Sequence, residues 1–422
     1  MNRRGAPRVA IVGAGIAGLG CAHALAGRAQ VTIFEAGPRA GGHVHTVDVA
    51  GARGPVAVDL GFIVFSRPSY PRFTALLDEL GVASRPTAMS FSVTLPGDGD
   101  GLVWSSASPR GWFAQPRNLA RPGHWRFLAA VVGLLAAGRR DLGGELARRA
   151  TLDEYLAARR VPAEVRDGFV VPLAAALWSL APDRCGAFPA ETWLRFLDQH
   201  GMLRATRPHR WRTVVGGSRT YVDALLARDR PTVVTDAPVT AVHRDARGVT
   251  LLVRGREHRF DRVVLATHAD TALALLAAPT DDERAVLGSF GYSRNHVVLH
   301  GDAAVMPRAR AAWASWNYVA DADRARVAVT YWMNRLSGLP DDRPYLVTLN
   351  PRRPPAAIDH QADFAHPQLD FAALGAQAGL PRLQGARRTY VAGAYAGFGF
   401  HEDGLRAGVY AAARLLGDEA QA

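Results

Sequence analysis

The chain opens with Val9-Ala10-Ile11-Val12 running directly into Gly13-Ala14-Gly15-Ile16-Ala17-Gly18, and reaches Val31-Thr32-Ile33-Phe34-Glu35 after one further segment. Few folds accept that order. A buried strand has to stop at a tight turn, a helix has to begin at once, and a second strand has to follow with an acid at its end. Gly13 suits the turn, Gly15 keeps a side chain out of a phosphate's path, and Gly18 lets helix and strand approach closely. The helix start presents unpaired N–H groups and the favourable end of its dipole to an anion. Glu35, roughly 20 residues beyond the glycines, is placed for ribose hydroxyls and disfavours a 2′-phosphate. The pattern predicts a Rossmann-like unit that binds a dinucleotide. The plainer alternative is a glycine turn in an ordinary connection, with Glu35 a surface carboxylate.

At 422 residues and 48% hydrophobic composition, the chain can bury a large core as two domains or as one interrupted by another. Cys21 and Cys185 are single and far apart, which argues against a disulfide framework or a cysteine metal site and fits a reducing cytoplasm. No apolar leader precedes the first strand, so the expectation is a cytoplasmic protein. The formal charge of +12 suits an anionic ligand or an acidic membrane surface. The arginines form no finger spacing and no compact basic tract interleaved with aromatics, so no nucleic-acid partner is expected. Among 14 histidines, His43 and His45 alternate, but no third residue stands in a ligand relation to them, and no metal is expected.

Further along, Gly37 to Gly42 forms a turn beside Glu35, and Val56-Ala57-Val58 reads as a strand entering Asp59-Leu60-Gly61-Phe62. Phe73 to Leu80 has helical spacing and stops at Gly81. Met89, Phe91, Val93 and Leu95 alternate as a half-buried strand, and Gly97 to Gly101 predicts a hairpin-like turn toward Leu102-Val103-Trp104. The apolar run Trp125 to Leu135, flanked by Arg121, Arg126, Arg139 and Arg140, is too short to span a bilayer. It reads first as an internal core helix and second as a helix contacting an anionic membrane. Val214 to Gly217 and the helical run Tyr221 to Leu226 lead into strands at 233–234, 239–242 and 249–253 and a single strand over 259–266, where the cofactor unit resumes. Strand-like runs at 297–299 and 327–332 accompany Trp313, Trp316, Tyr318, Tyr331 and Trp332, which either line an apolar cavity or fill a sheet core. After a loop at Pro351 to Pro355, Thr389-Tyr390-Val391 precedes a glycine-rich connection and a helix expected over Arg406 to Leu416. That connection suits a second phosphate or flavin cradle, with helix capping the alternative role for Glu402 and Asp403.

Several further motifs join the Gly13 pattern: Arg39-Ala40-Gly41-Gly42-His43, Asp59-Leu60-Gly61-Phe62-Ile63-Val64-Phe65, Leu265-Ala266-Thr267-His268-Ala269-Asp270, Ala314 to Tyr318, Val329 to Asn334, and Gly397 to Gly404. On these the chain resembles the FAD-dependent amine oxidase and phytoene desaturase-like superfamily. Within it, the likeness is to a bacterial branch of predicted NAD/FAD-binding oxidoreductases associated with cyclopropane or methylated fatty-acid metabolism. The resemblance covers nearly the whole chain and implies an α/β fold with an α+β insertion. A discontinuous Rossmann-like FAD-binding domain is expected over residues 1–70, 211–273 and 385–422, and a mixed sheet and helix substrate domain over 71–210 and 274–384.

The resemblance implies noncovalent FAD. Gly13, Ala14, Gly15, Ile16, Ala17 and Gly18 would border the pyrophosphate, Glu35 the adenosine ribose, and Arg39 and Gly42 the ribitol or phosphates. Gly61 and Phe62 would approach the flavin, Val239 would offer its backbone to adenine, and Gly393 with Glu402, Asp403, Gly404 and Leu405 would close around the flavin and ribityl chain. His43 stands where many amine oxidases carry Arg, and no covalent-flavin cysteine or amine cage is assignable. The expected function is therefore an FAD-dependent oxidoreductase or desaturase taking hydride from an apolar branched or cyclopropane fatty acyl group. The alternatives are an amine or other small-molecule oxidase, and a redox-inactive FAD-binding structural or assembly protein. His401, His43 and His268 are the candidates for moving the accompanying proton. His401 is preferred among them, against a purely structural hydrogen bond. The expected partners are a small-molecule or lipid substrate, an electron acceptor that the sequence does not identify, and an anionic membrane contacted peripherally at its inner face.

Overall fold

The strand Arg8–Val12 forms the middle of a five-stranded, wholly parallel sheet ordered Thr232–Val234, Gln30–Phe34, Arg8–Val12, Arg262–Leu265, Thr389–Val391. The computed structural model describes residues 5–97, 101–203, 209–321 and 327–421, so positions 98–100 of the expected hairpin turn lie outside the described residues. Parallel strands covered on both faces read as continuous apolar runs, and the alternation of side chains divides that run between two cores. Val9, Ile11, Ile33 and Val264 face the helices Ile16–Leu25 and His401–Gln421. Ala10, Val12, Phe34, Val263 and Leu265 face an antiparallel meander of Val239–Asp245, Gly248–Val253 and Arg256–Phe260.

Two sequence expectations shift here. The single strand expected over 259–266 is two strands in different sheets: Phe260 closes the meander, Asp261 accepts a hydrogen bond from the Arg8 N–H at 2.8 Å, and Arg262 begins the parallel strand. The final helix begins at His401 and not at Arg406, because Asp403, the third residue of its first turn, accepts from the Phe400 N–H at 3.1 Å and caps the earlier start.

The second layer is a seven-stranded sheet ordered Ile358–Gln368, Gly291–His300, Leu346–Leu349, Val327–Trp332, Trp316–Ala320, Phe91–Leu95, Leu102–Ser105. Its one parallel pairing joins Trp316–Ala320 to Phe91–Leu95, which brings the two excursions of the chain into one sheet. The helices Pro122–Asp141, Leu152–Ala158, Val171–Trp178 and Ala190–Gln199 share its core. The helix Pro71–Leu80, expected with the substrate segments, instead buries Phe73, Leu76 and Leu77 beside Leu19, Tyr221 and Leu405 in the core under the parallel sheet. An amphipathic helix joins whichever core its apolar stripe meets, and periodicity does not say which. The helix Pro122–Asp141 is two-sided: Phe127 and Leu134 are buried in this core with Leu128, Val131 and Leu135 packed against it, while Trp125, Ala129, Val132 and Ala136 are exposed. No described helix is long and apolar enough to cross a membrane.

Candidate active site

One cavity of about 760 Å³ runs from the Gly13 turn, between the two sheets, to a chamber walled by aromatic rings. At its first end the Gly13 N–H donates to the Phe34 carbonyl at 2.8 Å, and the residue takes φ +102°. A Cβ there would meet the Ala266 carbonyl oxygen at 2.7 Å, so both conformation and space require glycine. Gly18 is packed against the same turn, where a Cβ would fall 2.0 Å from the Gly13 oxygen. Gly15 is the opposite case: nothing lies within 4 Å of its Cβ position, and the residue lines the cavity. Gly15, Ile16 and Ala17 thus present the start of a ten-residue helix to empty space, the arrangement that accepts a phosphate.

Glu35 also lines the cavity and fastens both sides of this turn, accepting from the Ala14 N–H at 2.8 Å and the Gly37 N–H at 2.9 Å. Gly42, Gly61, Phe62, Val239, Gly393 and Gly404 are on the wall as well. Ala14, Gly18, Arg39, Glu402, Asp403 and Leu405 are not. Arg39 turns its guanidinium onto the loop, donating to the Val44 carbonyl at 2.6 Å and the Gly42 carbonyl at 3.1 Å. Glu402 accepts from the Arg72 and Phe73 N–H groups at 3.0 Å each, capping the helix Pro71–Leu80 from outside. Asp403 holds the Phe398 and Phe400 N–H groups at 2.9 and 3.1 Å, and Leu405 packs at the Gly20 position of the first helix. These side chains shape the wall from behind.

Asp59 does the same and was not singled out in the sequence for a role of its own. It is 1% exposed and accepts from the Thr46 hydroxyl at 2.5 Å and the Ser218 N–H at 2.9 Å, while the Ser218 hydroxyl donates to the Phe62 carbonyl at 2.9 Å. Burial pushes the carboxyl up to about 6 against these hydrogen bonds. Only the acid in the Asp59-Leu60-Gly61-Phe62 run hinted at this brace of the wall at Phe62.

The three candidate histidines all line the cavity, in different states. The His401 ring stacks on Phe62 at 3.8 Å and 11°, lies edge-on to Phe73, and shares a 2.8 Å hydrogen bond between Nε2 and the Tyr221 hydroxyl. Burial, helped by His43, lowers its pKa to about 3. His43 Nε2 donates to the Ala365 carbonyl at 3.2 Å, and burial with His366 and His268 nearby brings it to about 3. His268 stacks on Tyr292 at 4.4 Å, and neither of its ring nitrogens bonds to a described residue. Burial lowers its pKa too. His43 lies 5.6 Å from His366 and 6.1 Å from His268, ring to ring, so the three form one neutral group.

Beyond them the wall is built from Trp178, Phe196, Trp211, Trp316, Tyr331 and Phe400. Phe196 and Phe400 stack at 4.6 Å, and Trp316 meets Tyr331 edge-on at 5.0 Å. Of the aromatics noted in the sequence, Trp316 and Tyr331 line the chamber, while Tyr318 is buried in the sheet core. Trp313 and Trp332 pair at 5.3 Å under the Arg310 guanidinium in a separate cluster. Among the described residues, Glu35 is the one acidic side chain on the whole wall, and no Arg or Lys stands there. The helical contributors Trp178 and Phe196 had no signal beyond apolarity, which reads equally as core.

Residues 16–300, more than half of the chain, match the family described as flavin containing amine oxidoreductase. The chain belongs to this family. As a member of the flavin amine oxidoreductases it is an FAD-dependent oxidoreductase. A curated relative, polyamine oxidase 1 of Oryza sativa subsp. japonica, is 51% identical over 51 residues, which span 11% of this chain and 10% of that protein. Two solved structures share the fold. The CLA-producing fatty acid isomerase from P. acnes matches with TM-score 0.69 at 18% identity, over 97% of this chain and 98% of that one. Cyclohexylamine oxidase from Brevibacterium oxydans matches with TM-score 0.69 at 17% identity, over 99% and 100%. The residues present fit FAD: the helix start behind Gly15 faces open cavity, and the Tyr395 hydroxyl, on the same wall, is a buried polar group without a partner.

Proposed function

We propose that this flavin amine oxidoreductase dehydrogenates or desaturates an apolar acyl chain, such as a branched or cyclopropane fatty acyl group. The observation that carries this reading is the uncharged aromatic chamber. A protonated amine entering it would lose its hydration with no carboxylate to replace it, a cost of several kcal/mol on the order expected for an unpaired buried ion. An alkyl chain gains about 0.8 kcal/mol per buried methylene on the same walls.

In this reading the helix start at Gly15, Ile16 and Ala17 holds the pyrophosphate, with Gly13 shaping the turn. Glu35 takes the ribose hydroxyls, Val239 borders adenine, and Gly42, Gly61, Phe62, Gly393 and Gly404 close on the ribityl and flavin. Bound FAD supplies a two-electron acceptor for hydride. The proton lost from the neighbouring carbon needs a neutral base, and His268 fits that role best: its ring is neutral and its nitrogens are not held by neighbours. His43, tied to the Ala365 carbonyl, orients the cluster, and His401, sealed by Phe62 and Tyr221, is a positioning residue. We likewise propose the division into an FAD side and a substrate side at the cavity.

One feature favours an amine instead. The perpendicular rings of Trp316 and Tyr331 offer two aromatic surfaces to a cation. Anaerobic absorbance of the holoprotein separates the readings. Bleaching of oxidised flavin by branched or cyclopropane acyl lipids, with product two hydrogens lighter, is expected. Bleaching by amines alone would overturn the acyl reading, and flavin that no donor reduces would favour a structural role.

A further inference from the structure

We propose that the protein docks on anionic lipid bilayers through the face made by Pro109–Trp112, Pro116–Ala120 and the helix Pro122–Asp141. A solvent-facing helix side ordinarily carries Glu, Lys or Gln. Here the outward side carries Trp125, Ala129, Val132 and Ala136, all exposed and spaced as one helical stripe, beside the exposed Arg126, Gly133 and Arg139. Arg121 precedes the stripe and Arg140 ends it.

The stripe continues into a compact apolar knuckle. The Trp125 indole N–H donates to the Leu119 carbonyl at 3.0 Å, its ring meets Phe113 at 4.8 Å, and His124 shares a 2.8 Å hydrogen bond with the Trp112 carbonyl. Trp112, Leu119, Trp125 and Val132 remain 45%, 58%, 52% and 60% exposed. With Leu146 they make five of the nine large hydrophobic side chains that stand exposed among the described residues, so the apolar exposure is concentrated and not scattered.

Charge selects the occupant. Residues 106–150 hold eight arginines against Asp141 and Glu145, half of the chain's +12 excess in about a tenth of its length. Arg121, Arg126, Arg139 and Arg140 are exposed and form no ion pair with a described residue. Trp125 among arginines on a helix about 30 Å long, with Trp112 beside it, suits the boundary between headgroups and acyl chains, with the guanidinium groups on lipid phosphates.

The position also suits delivery of a lipid. Ser106 is exposed and lines the cavity, its hydroxyl accepting from the N–H of Phe91, another wall residue, at 2.9 Å. The knuckle packs beside it: a Cβ on Gly111 would lie 2.9 Å from the Ser105 oxygen. The exposed lining residue Ser106 therefore adjoins the docking face.

Sedimentation of the FAD-loaded protein with vesicles tests the proposal. Phosphatidylcholine vesicles should leave it in solution, and vesicles with equal parts phosphatidylglycerol should carry it down in a salt-sensitive way. Trp125→Ser with Val132→Ser should weaken binding about tenfold, and Arg139→Gln with Arg140→Gln about fivefold per arginine, with flavin absorbance and melting temperature confirming the fold. Three results would overturn it: no binding to the anionic vesicles, binding unchanged in the Trp125→Ser, Val132→Ser protein, or a wild-type dimer that the same substitutions dissociate. Binding is read without turnover, so docking and the acyl-chain reading fail independently.

Discussion

The two ends of the cavity are built by different means. At the glycine-turn end the working surface is backbone: the Gly13 turn, the N–H groups behind Gly15, and loops held by Glu35, at the end of the neighbouring strand, and by Arg39. At the chamber end it is side chains, brought by the sheet strands Trp316–Ala320 and Val327–Trp332, by the helices Val171–Trp178 and Ala190–Gln199, and by the Phe400 segment. A backbone cradle tolerates almost no local change, whereas a chamber of rings can alter its chemistry while the fold persists.

The largest expected effect breaks the cradle outright. Gly18→Ala, with its Cβ 2.0 Å from the Gly13 oxygen, should cost about 3 kcal/mol or more and leave little folded protein by thermal melting. Gly15→Ala sharpens the point, because its Cβ enters only the cavity and its extended backbone at φ −73° suits alanine. It should melt near the wild type yet bind FAD roughly tenfold more weakly by flavin fluorescence, about 1.4 kcal/mol. Equal FAD affinity in the two proteins would remove the phosphate from that helix start.

Within the chamber the effects should fall on rate and choice. His268→Gln should lower the rate of flavin reduction by about 100-fold with FAD retained, the lower range for loss of a general base. An unchanged rate would return the proton to another group. Met89→Glu, which sets a carboxylate into the half-buried apolar wall, should shift the ratio of amine to acyl turnover about tenfold toward amines. A ratio that does not move would mean that the chamber's neutrality does not select the substrate.

The smallest expected effect is acid lability. His43 and His401 near 3, and His200 and His366 near 4, stay neutral where unfolded histidines take up protons at about 6.5, each lowered chiefly by burial. The unfolded chain therefore binds more protons between about pH 6.5 and 4, and stability falls as pH drops through that window. Asp59, raised to about 6, acts oppositely between its folded value and the ordinary 3.8, since there the folded state holds the extra proton. Four rings outweigh one carboxyl, so melting temperature should decline by roughly 5 °C from pH 7 to pH 5. A rise on acidification would place solvent or charge partners at these rings.

How much of this was readable from the residues follows the same division. The strand, turn and helix at Val9 to Leu25 and the acid at Glu35 were legible because each requirement is local: a φ that only glycine takes readily, a helix start, a strand end. The strand break at Asp261 was not, because both halves are β-formers and the pairing of Asp261 with the Arg8 backbone, through its side chain and its own N–H, marks where one sheet ends. His401 read as a proton carrier from its motif, and the tertiary fold closes its ring between Phe62 and Tyr221. Glu402 read as a cofactor contact, and the fold spends it on the N–H groups of another helix.

By itself, then, the sequence determined the parallel nucleotide unit, its return after long excursions and a basic-flanked apolar helix, since these rest on periodicity and glycine placement along the chain. The tertiary structure alone decided that Trp178, Phe196, Trp316 and Tyr331 meet around one uncharged space, that His268 keeps an open ring, and that Trp125 and Val132 face outward. Burial of a side chain depends on which other segments pack over it, such as the Phe400 segment against Phe196, and the local pattern does not encode that.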